Sequence, residues 1–464
     1  MNRSFSLLLG LTIFCSAVTA QSRGFSDTAA KLNALLQGWN TATPGGVLTV
    51  DRGGTILYNK AQGMADLDHH VAITPETIFE AGSVSKQFTA TAVLLLVEDG
   101  KISVEDDIRK YIPELPDYGT PIKIKHLLVH TSGLKDWGSV AVFGGWPRGT
   151  RAYTQDHARE IIFRQKTLNF TPGSEYSYSN SNYTLLSTLV ERVSGQSLVA
   201  FTTKRIIEPV GMRKTQWRDD FRKIVSGRAI AYSKRGNAYA QDMPFENTHG
   251  HAALLTTTQD LRTWLRYWAD GKFGKQLAAL RERQGILNNG STIGYAEGAV
   301  RIFTVSGVRE VSHSGATAGY RAWLAYYPSK DLSVIYLSND GSTIPTSQVG
   351  KKVTEIFFGK EDAPPASDTL PSVPYQPDVA SFAELAGKYY SEEADAMFTV
   401  KIQGDTVVLF RSPSTNMRLR AISPDTFEAA NGMNFRFIRD RRKKVTSFAA
   451  SVERAQNVIF NKLP

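Results

Sequence analysis

Ser83-Val84-Ser85-Lys86 stands directly ahead of an apolar run, Ala90 to Val97, that closes at Glu98-Asp99-Gly100. The run reads as one buried helix, and Gly100 suits its C-terminus. Such a helix constrains the whole chain, because the fold has to surround it and hold rigid whatever its opening turn carries. Here that turn carries a serine and, three residues on, a lysine, which share one helical face. A hydroxyl beside an amine is how a weak alcohol nucleophile is activated, and the dipole at a helix N-terminus favours developing negative charge. The bland alternative is an N-cap serine followed by a solvated lysine. A second Ser-x-x-Lys, Ser132-Gly133-Leu134-Lys135, runs into Asp136-Trp137-Gly138, which is loop composition. The spacing therefore predicts acyl transfer through Ser83 with Lys86 beside it, and a structural role for the second motif.

With 464 residues, 42% of them hydrophobic and 21% charged, the chain can bury a large core and is read as two domains. Met1-Asn2-Arg3, the apolar stretch Leu7 to Phe14 and the small residues up to Ala20 form a secretory signal peptide, 1–20, with the cut after Ala20. Neither that stretch nor any later one is long enough to span a bilayer. The single cysteine, Cys15, lies in the leader, so the mature chain would hold no disulfide and no thiol chemistry. The formal charge of +10 falls to +9 once Arg3, the one charged residue before position 21, is removed. A basic exported protein favours anionic surfaces such as cell wall. Nucleic acid is a poorer partner, since the run Arg439-Asp440-Arg441-Arg442-Lys443-Lys444 lies between strand-like segments without interleaved aromatics and reads as a solvated hairpin turn.

A helix is expected from Asp27 to Trp39, then a hairpin, Gly46 to Val50 and Thr55 to Tyr58. Helices and loops fill the chain to about Trp268. Strands return near Phe303, at Arg321 to Tyr327 and at Leu332 to Leu337. The pattern is that of an α/β body, 21–360, whose sheet uses both ends of the segment. Five prolines between Glu361 and Asp378 mark a linker, 361–380. Beyond it, 381–464, short alternating segments at 398–402, 406–410, 417–422, 435–439 and 445–449 predict a small β-barrel.

A serine nucleophile needs a proton relay, an oxyanion hole and a grip on the substrate. Tyr178-Ser179-Asn180, on a loop just ahead of an apolar helix, supplies the relay; a tyrosine beside a cationic lysine would have a lowered pKa and act as a base. His313-Ser314-Gly315, between strand-like segments, supplies a third wall. There a histidine donates to a substrate oxygen or carboxylate, and the small residues after it allow close backbone approach. Of the close histidine pairs, His126 and His130 have i, i+4 spacing but no acidic or cysteine partner in register, so no metal is expected. No glycine-rich phosphate loop follows a strand, and no cofactor is expected.

In this order the three motifs resemble those of the serine β-lactamase and penicillin-binding-protein superfamily, most closely its class C β-lactamase-related branch of D-Ala-D-Ala carboxypeptidases, D-aminopeptidases and esterases. Ile124 to Leu134 and Leu254 to Leu261 look like the family too. The resemblance implies an antiparallel sheet flanked by helices plus an all-helical subdomain, followed here by a lipocalin-like C-terminal barrel. It implies Ser83 as the acylated nucleophile, Lys86 as its activator and Tyr178 as proton shuttle. Asn180 would bind the substrate's acyl side chain, His313 would take the place of the family's lysine, and Gly315 would permit close strand approach. The backbone N–H groups of Ser83 and Ala316 would form the oxyanion hole, each such donor being worth about 3 kcal/mol in the transition state. Histidine in place of lysine argues against an efficient β-lactamase, because its ordinary pKa of about 6.5 leaves it mostly neutral at pH 7. The expectation is an exported hydrolase of small esters or amides, including D-amino-acid peptides. The alternatives are a penicillin or peptidoglycan sensor that acylates without turnover, a weak β-lactamase, or a binding protein that works through its barrel.

Overall fold

The structure is a computed structural model describing residues 27–342, 346–360, 375–412 and 415–464. The leader and most of the proline-rich linker lie outside the described residues.

The body is built on an antiparallel sheet of eight strands, in the order Gln284–Ile286, Thr292–Ala296, Val300–Val305, Val308–Thr317, Tyr320–Tyr327, Leu332–Ser338, Gly46–Arg52 and Thr55–Gln62. The N-terminal hairpin joins the late strands directly, Gly46 facing Ser338 and Arg52 facing Leu332. Gly46–Arg52 and Leu332–Ser338 are buried almost end to end, which fits the apolar runs Val47-Leu48 and Val334-Ile335-Tyr336-Leu337 within them, since a strand covered on both faces needs no polar alternation. On one face Leu32, Leu36, Trp39, Val349 and Val353 pack on Leu48, Val334, Tyr336 and Trp323. On the other, Val47, Ile335 and Leu337 meet the helical region. The first helix covers 27–36 rather than reaching Trp39, whose N–H closes a turn onto the Leu36 carbonyl.

At the centre of the helical region lies Lys86–Glu98, buried all round from Lys86 to Leu96, packed against Asn180–Ser194. Ser83 is not in the α-helix proper. It sits in a tight 3₁₀ turn, Gly82–Ser85, that feeds it. This turn is clamped from behind: Ala81 N–H donates to the Leu254 carbonyl at 2.8 Å and Leu254 N–H donates to Ser85 Oγ at 3.0 Å.

Residues Gly387–Ser391 through Ala455–Lys462 form a closed eight-stranded barrel in sequence order, sealed by Tyr389 against Lys462. Inward rings of Tyr389, Phe398, Phe435, Phe437, Phe448 and Phe460 fill it, each worth about 1.5–3 kcal/mol of burial. The barrel has three strands beyond the five expected: Gly387–Ser391, Thr426–Ala429 and Ala455–Lys462. The basic run 439–444 is indeed the turn between Asn434–Arg439 and Val445–Val452. The barrel is docked on the body by a buried ion pair, Lys135 to Glu393 at 3.3 Å. Among the described residues no helix is long and apolar enough to cross a membrane.

Candidate active site

The opening of the nucleophile helix, the loop ahead of Asn180–Ser194 and the strand Val308–Thr317 converge on one cavity of about 470 Å³. Ser83, Tyr178, Asn180, His313, Gly315 and Ala316 all line it, and Lys86 lies beneath, fully buried.

The Lys86 amine has three partners: the carbonyl of His251 at 2.8 Å, Asn180 Oδ1 at 2.9 Å and Ser83 Oγ at 3.2 Å. The two carbonyl oxygens can only accept, so they take two amine hydrogens. Ser83 is the one partner able to donate. Burial holds the Lys86 pKa well below the ordinary lysine value, helped by repulsion from Arg454 and Arg148. In its neutral form, which burial favours, the amine has two hydrogens committed and turns its lone pair to the Ser83 hydroxyl.

The Tyr178 ring stands 4.7 Å from Lys86 Nζ, and its buried hydroxyl has no hydrogen bond of ordinary geometry among the described residues. The expected lowering of its pKa is corrected: burial pushes the phenol up, and the Ser83 hydroxyl offsets only part of the rise. Burial outweighs the expected help from the lysine, whose own pKa the same dry surroundings draw down. His130 backs this loop, its ring 4.2 Å from that of Tyr178 and its Nδ1 accepting from Ser179 N–H at 3.2 Å. This is the use to which the fold puts the histidine of the i, i+4 pair. Asn180 is only partly free for substrate, because Oδ1 belongs to Lys86 and its side-chain NH₂ is what remains to donate.

His313 lies within its strand, not between strands. Its Nδ1 donates to the Ser314 carbonyl at 2.6 Å and its Nε2 accepts from the Tyr295 hydroxyl at 2.9 Å. Burial first, then the Lys86 amine, bring its pKa down to about 3. The imidazole is neutral with both nitrogens engaged, so the expected donation to a substrate carboxylate is not available in this arrangement.

The neighbouring strand Val300–Val305 pairs with this one only as far as Ser312. Beyond that point the strand edge lies against the nucleophile turn. The approach is so close that a Cβ on Gly315 would fall 2.0 Å from the Ala81 carbonyl oxygen, and one on Gly82, whose φ is +51°, would fall 2.6 Å from Ala316 N. That contact brings Ser83 and Ala316 side by side at the cavity wall.

The second Ser-x-x-Lys is taken apart by the fold. Ser132 Oγ donates to Asn182 Oδ1 at 2.6 Å, whereas Lys135 turns to Thr167 Oγ1 at 2.7 Å and to Glu393. Several cavity residues escaped the sequence reading: Arg148, Tyr176, His251, Tyr295, Arg301 and Arg454. Arg148 is neutralised by Glu246 at 2.8 Å. Tyr295 reaches His313 because the strand registers Tyr295–Arg301 and Arg301–Ser312 place them side by side, a consequence of pairing that motif spacing does not reveal.

A family model described as Beta-lactamase matches residues 26–354. The chain is 30% identical over 411 residues to penicillin-binding protein 4* of Bacillus subtilis, covering 82% of this chain and 88% of that protein. It is 28% identical over 323 residues to the D-aminopeptidase of Brucella anthropi, covering 68% of this chain but only 59% of the relative's length. Among solved structures, the octameric penicillin-binding protein homologue from Pyrococcus abyssi superposes with a TM-score of 0.61 at 22% identity, over 95% of this chain and 99% of that one.

Proposed function

The chain belongs to the beta-lactamase family of serine hydrolases, and on that premise we propose that it hydrolyses small esters or amides, D-amino-acid peptides among them, through an acyl-enzyme on Ser83. The observation that carries the reading is the set of three partners around the buried Lys86 amine. Lys86 takes the Ser83 proton as the hydroxyl attacks. Tyr178, protonated because it is buried, passes its proton to the leaving group and recovers one from Lys86. Deacylation runs the same route backwards with water in place of the leaving group. The N–H groups of Ser83 and Ala316 receive the oxyanion. The side-chain NH₂ of Asn180 holds a carbonyl of the acyl chain.

The D-aminopeptidase among the relatives supports a D-configured substrate. A neutral His313 supports peptidase or esterase work over β-lactam hydrolysis. The leader read at Met1–Ala20 supports an activity outside the cytoplasm, where the chain's positive charge suits an anionic cell wall.

The test is intact mass after brief incubation with a penicillin and, separately, with a nitrophenyl ester. An adduct on the wild type that is absent from a folded Ser83→Ala variant is expected, followed by its decay. An adduct that persists without steady-state turnover replaces the hydrolase with an acylating sensor. Full turnover by Ser83→Ala removes the mechanism.

A further inference from the structure

A second cavity, of about 310 Å³, opens where the barrel meets the helical region, and it shares no lining residue with the catalytic one. Its volume is at the small end of the range for ligand pockets, about 300–1,000 Å³, so it admits a small molecule. Two helices of the body, Trp137–Phe143 and Gln155–Phe163, give it a floor of Val140, Ala141 and Ile161, all buried. Trp146 stands at its edge with 52% of its surface exposed. One rim is the barrel turn at Ala394 and Asp395, between Gly387–Ser391 and Ala396–Gln403. That rim is fixed in place. Lys166 N–H donates to Glu393 Oε1 at 3.1 Å and Gln165 Nε2 donates to the Glu393 carbonyl at 3.2 Å, beside the ion pair with Lys135.

The charged groups around this cavity are poorly used by the protein itself. The Arg164 guanidinium has a buried Nε without a hydrogen-bond partner among the described residues. The carboxylate oxygen it faces, Asp395 Oδ2, lies 4.0 Å away, beyond hydrogen-bond distance. Arg151 lies over the Tyr153 ring at 5.4 Å and has no carboxylate partner among the described residues. Glu160 has no cationic partner there either. Yet Arg164 stands one helical turn further on, its N–H donating to the Glu160 carbonyl at 3.0 Å, a spacing that sets the two Cβ atoms about 6 Å apart. Asp395 Oδ1 accepts from the Tyr390 hydroxyl at 3.0 Å, which leaves Oδ2. His157 Nδ1 accepts from Thr154 N–H at 3.2 Å, which leaves its Nε2–H to donate. Two guanidiniums with donors to spare and two carboxylates with acceptors to spare thus line one small cavity. A simple anion entering it meets Glu160 and Asp395, and a simple cation meets two arginines. A zwitterion satisfies both sets.

We propose that this cavity between body and barrel is a binding site, separate from the catalytic centre, for a free α-amino acid with an apolar side chain. Its carboxylate takes charge-assisted hydrogen bonds from Arg164 and Arg151, and its ammonium donates to Glu160 and Asp395. An amino acid carries its two charges on one carbon, which matches the one-turn spacing of Glu160 and Arg164. The side chain covers Val140, Ala141 and Ile161 beside Trp146. The ligand touches the helical region and the barrel together. The loop that brings Trp146 and Arg151 to this cavity also brings Arg148 to the catalytic one, so the two sites are one loop apart.

The probe is L-phenylalanine, titrated by calorimetry at low salt into the full-length protein. Phenylpropionate, which lacks the ammonium, and phenethylamine, which lacks the carboxylate, are titrated beside it. Saturable one-to-one binding of the amino acid is expected, with each truncated analogue at least about 10-fold weaker, the factor that one charge-assisted hydrogen bond supplies. Arg164→Gln is expected to weaken L-phenylalanine about 10-fold and to leave phenethylamine unchanged. Glu160→Gln is expected to weaken L-phenylalanine by a similar factor and to leave phenylpropionate unchanged. Both side chains are partly solvent-facing, and circular dichroism checks that each variant is folded. A merely structural role for either residue would move all three affinities together. The proposal is overturned by the lack of saturable binding, by analogues that bind as tightly as the amino acid, or by an L-phenylalanine affinity that the two variants leave unchanged, which puts the ligand in the catalytic cavity.

Discussion

Gly315→Ala tests the geometry of the cleft more sharply than removal of a catalytic group, because it adds one methyl and no chemistry. The new Cβ falls 2.0 Å from the Ala81 carbonyl oxygen and 3.0 Å from its carbon. Both partners are backbone, and the Ala81 side is tied to Leu254 by a 2.8 Å hydrogen bond, so no side chain can swing away. Reaching even a 3.0 Å contact separates the strand from the nucleophile turn by about 1 Å, and a misplacement of that size at a reacting centre costs about 10²-fold in rate. The overpacking itself costs about 1–3 kcal/mol. The assay is the pre-steady-state rate of nitrophenol release, with the thermal midpoint measured in parallel. Gly38→Ala is the control, since its Cβ meets nothing within 4 Å, and it should stay within about 0.5 kcal/mol of wild type. Gly315→Ala acylating within about threefold of wild type would refute the reasoning, because the 1 Å displacement then has no effect at the reacting atoms.

The acylation rate should rise with pH as Lys86 loses its proton, with the acid limb below the ordinary lysine range because burial holds that pKa down. Arg454→Gln removes the repulsive charge that ranks next after burial, so the Lys86 pKa climbs and the limb moves to higher pH; a limb that stays put or moves down contradicts this. At the domain contact, Glu393→Ala strands the buried Lys135 amine, now 3.3 Å from its carboxylate partner. Urea unfolding should show a loss of about 3–5 kcal/mol, and Lys135→Met with Glu393→Leu together should recover most of it. A single-variant loss under about 1 kcal/mol would put the pair in the class of exposed bridges.

The parts of the site that the sequence makes legible are those whose chemistry is local. Ser83 and Lys86 are one turn apart, Tyr178 and Asn180 sit at a helix entry, and Gly315 stands in a run of small residues, so spacing alone brings each to an element end or strand edge. Arg454 could not be found that way. It stands in a basic C-terminal segment whose arginines look alike in sequence, and only the docking of the barrel against Asp136 and Asn169 singles it out. The missed barrel strands have similar causes. Thr426–Ala429 has four residues, too few for an alternation to register, and Ala455–Lys462 carries Asn457 at a φ of +54° near a register shift that breaks its pattern. Charge states were the least legible. Burial sets them, and burial belongs to the assembled fold.

That last point changes how the site holds its protons. The sequence suggests a cationic lysine, an acidified tyrosine and a chargeable histidine. In the folded site burial instead draws the Lys86 pKa well below the ordinary lysine value, pushes the Tyr178 phenol up and brings His313 down to about 3, so each is driven toward its uncharged form, with the fixed positive charge on arginines of the wall. An uncharged interior needs no counter-ion, which is consistent with a cavity lined by no acid. It also means that charge first appears inside the cleft when Ser83 attacks: an oxyanion at the strand edge and an ammonium on Lys86, created together. Their mutual attraction exists only from that moment, in surroundings of low dielectric where it counts most, and stabilisation confined to the transition state is what accelerates a reaction. Arg454 and Arg148 oppose the ammonium and so lower the basicity of Lys86, while their positive charge favours the oxyanion.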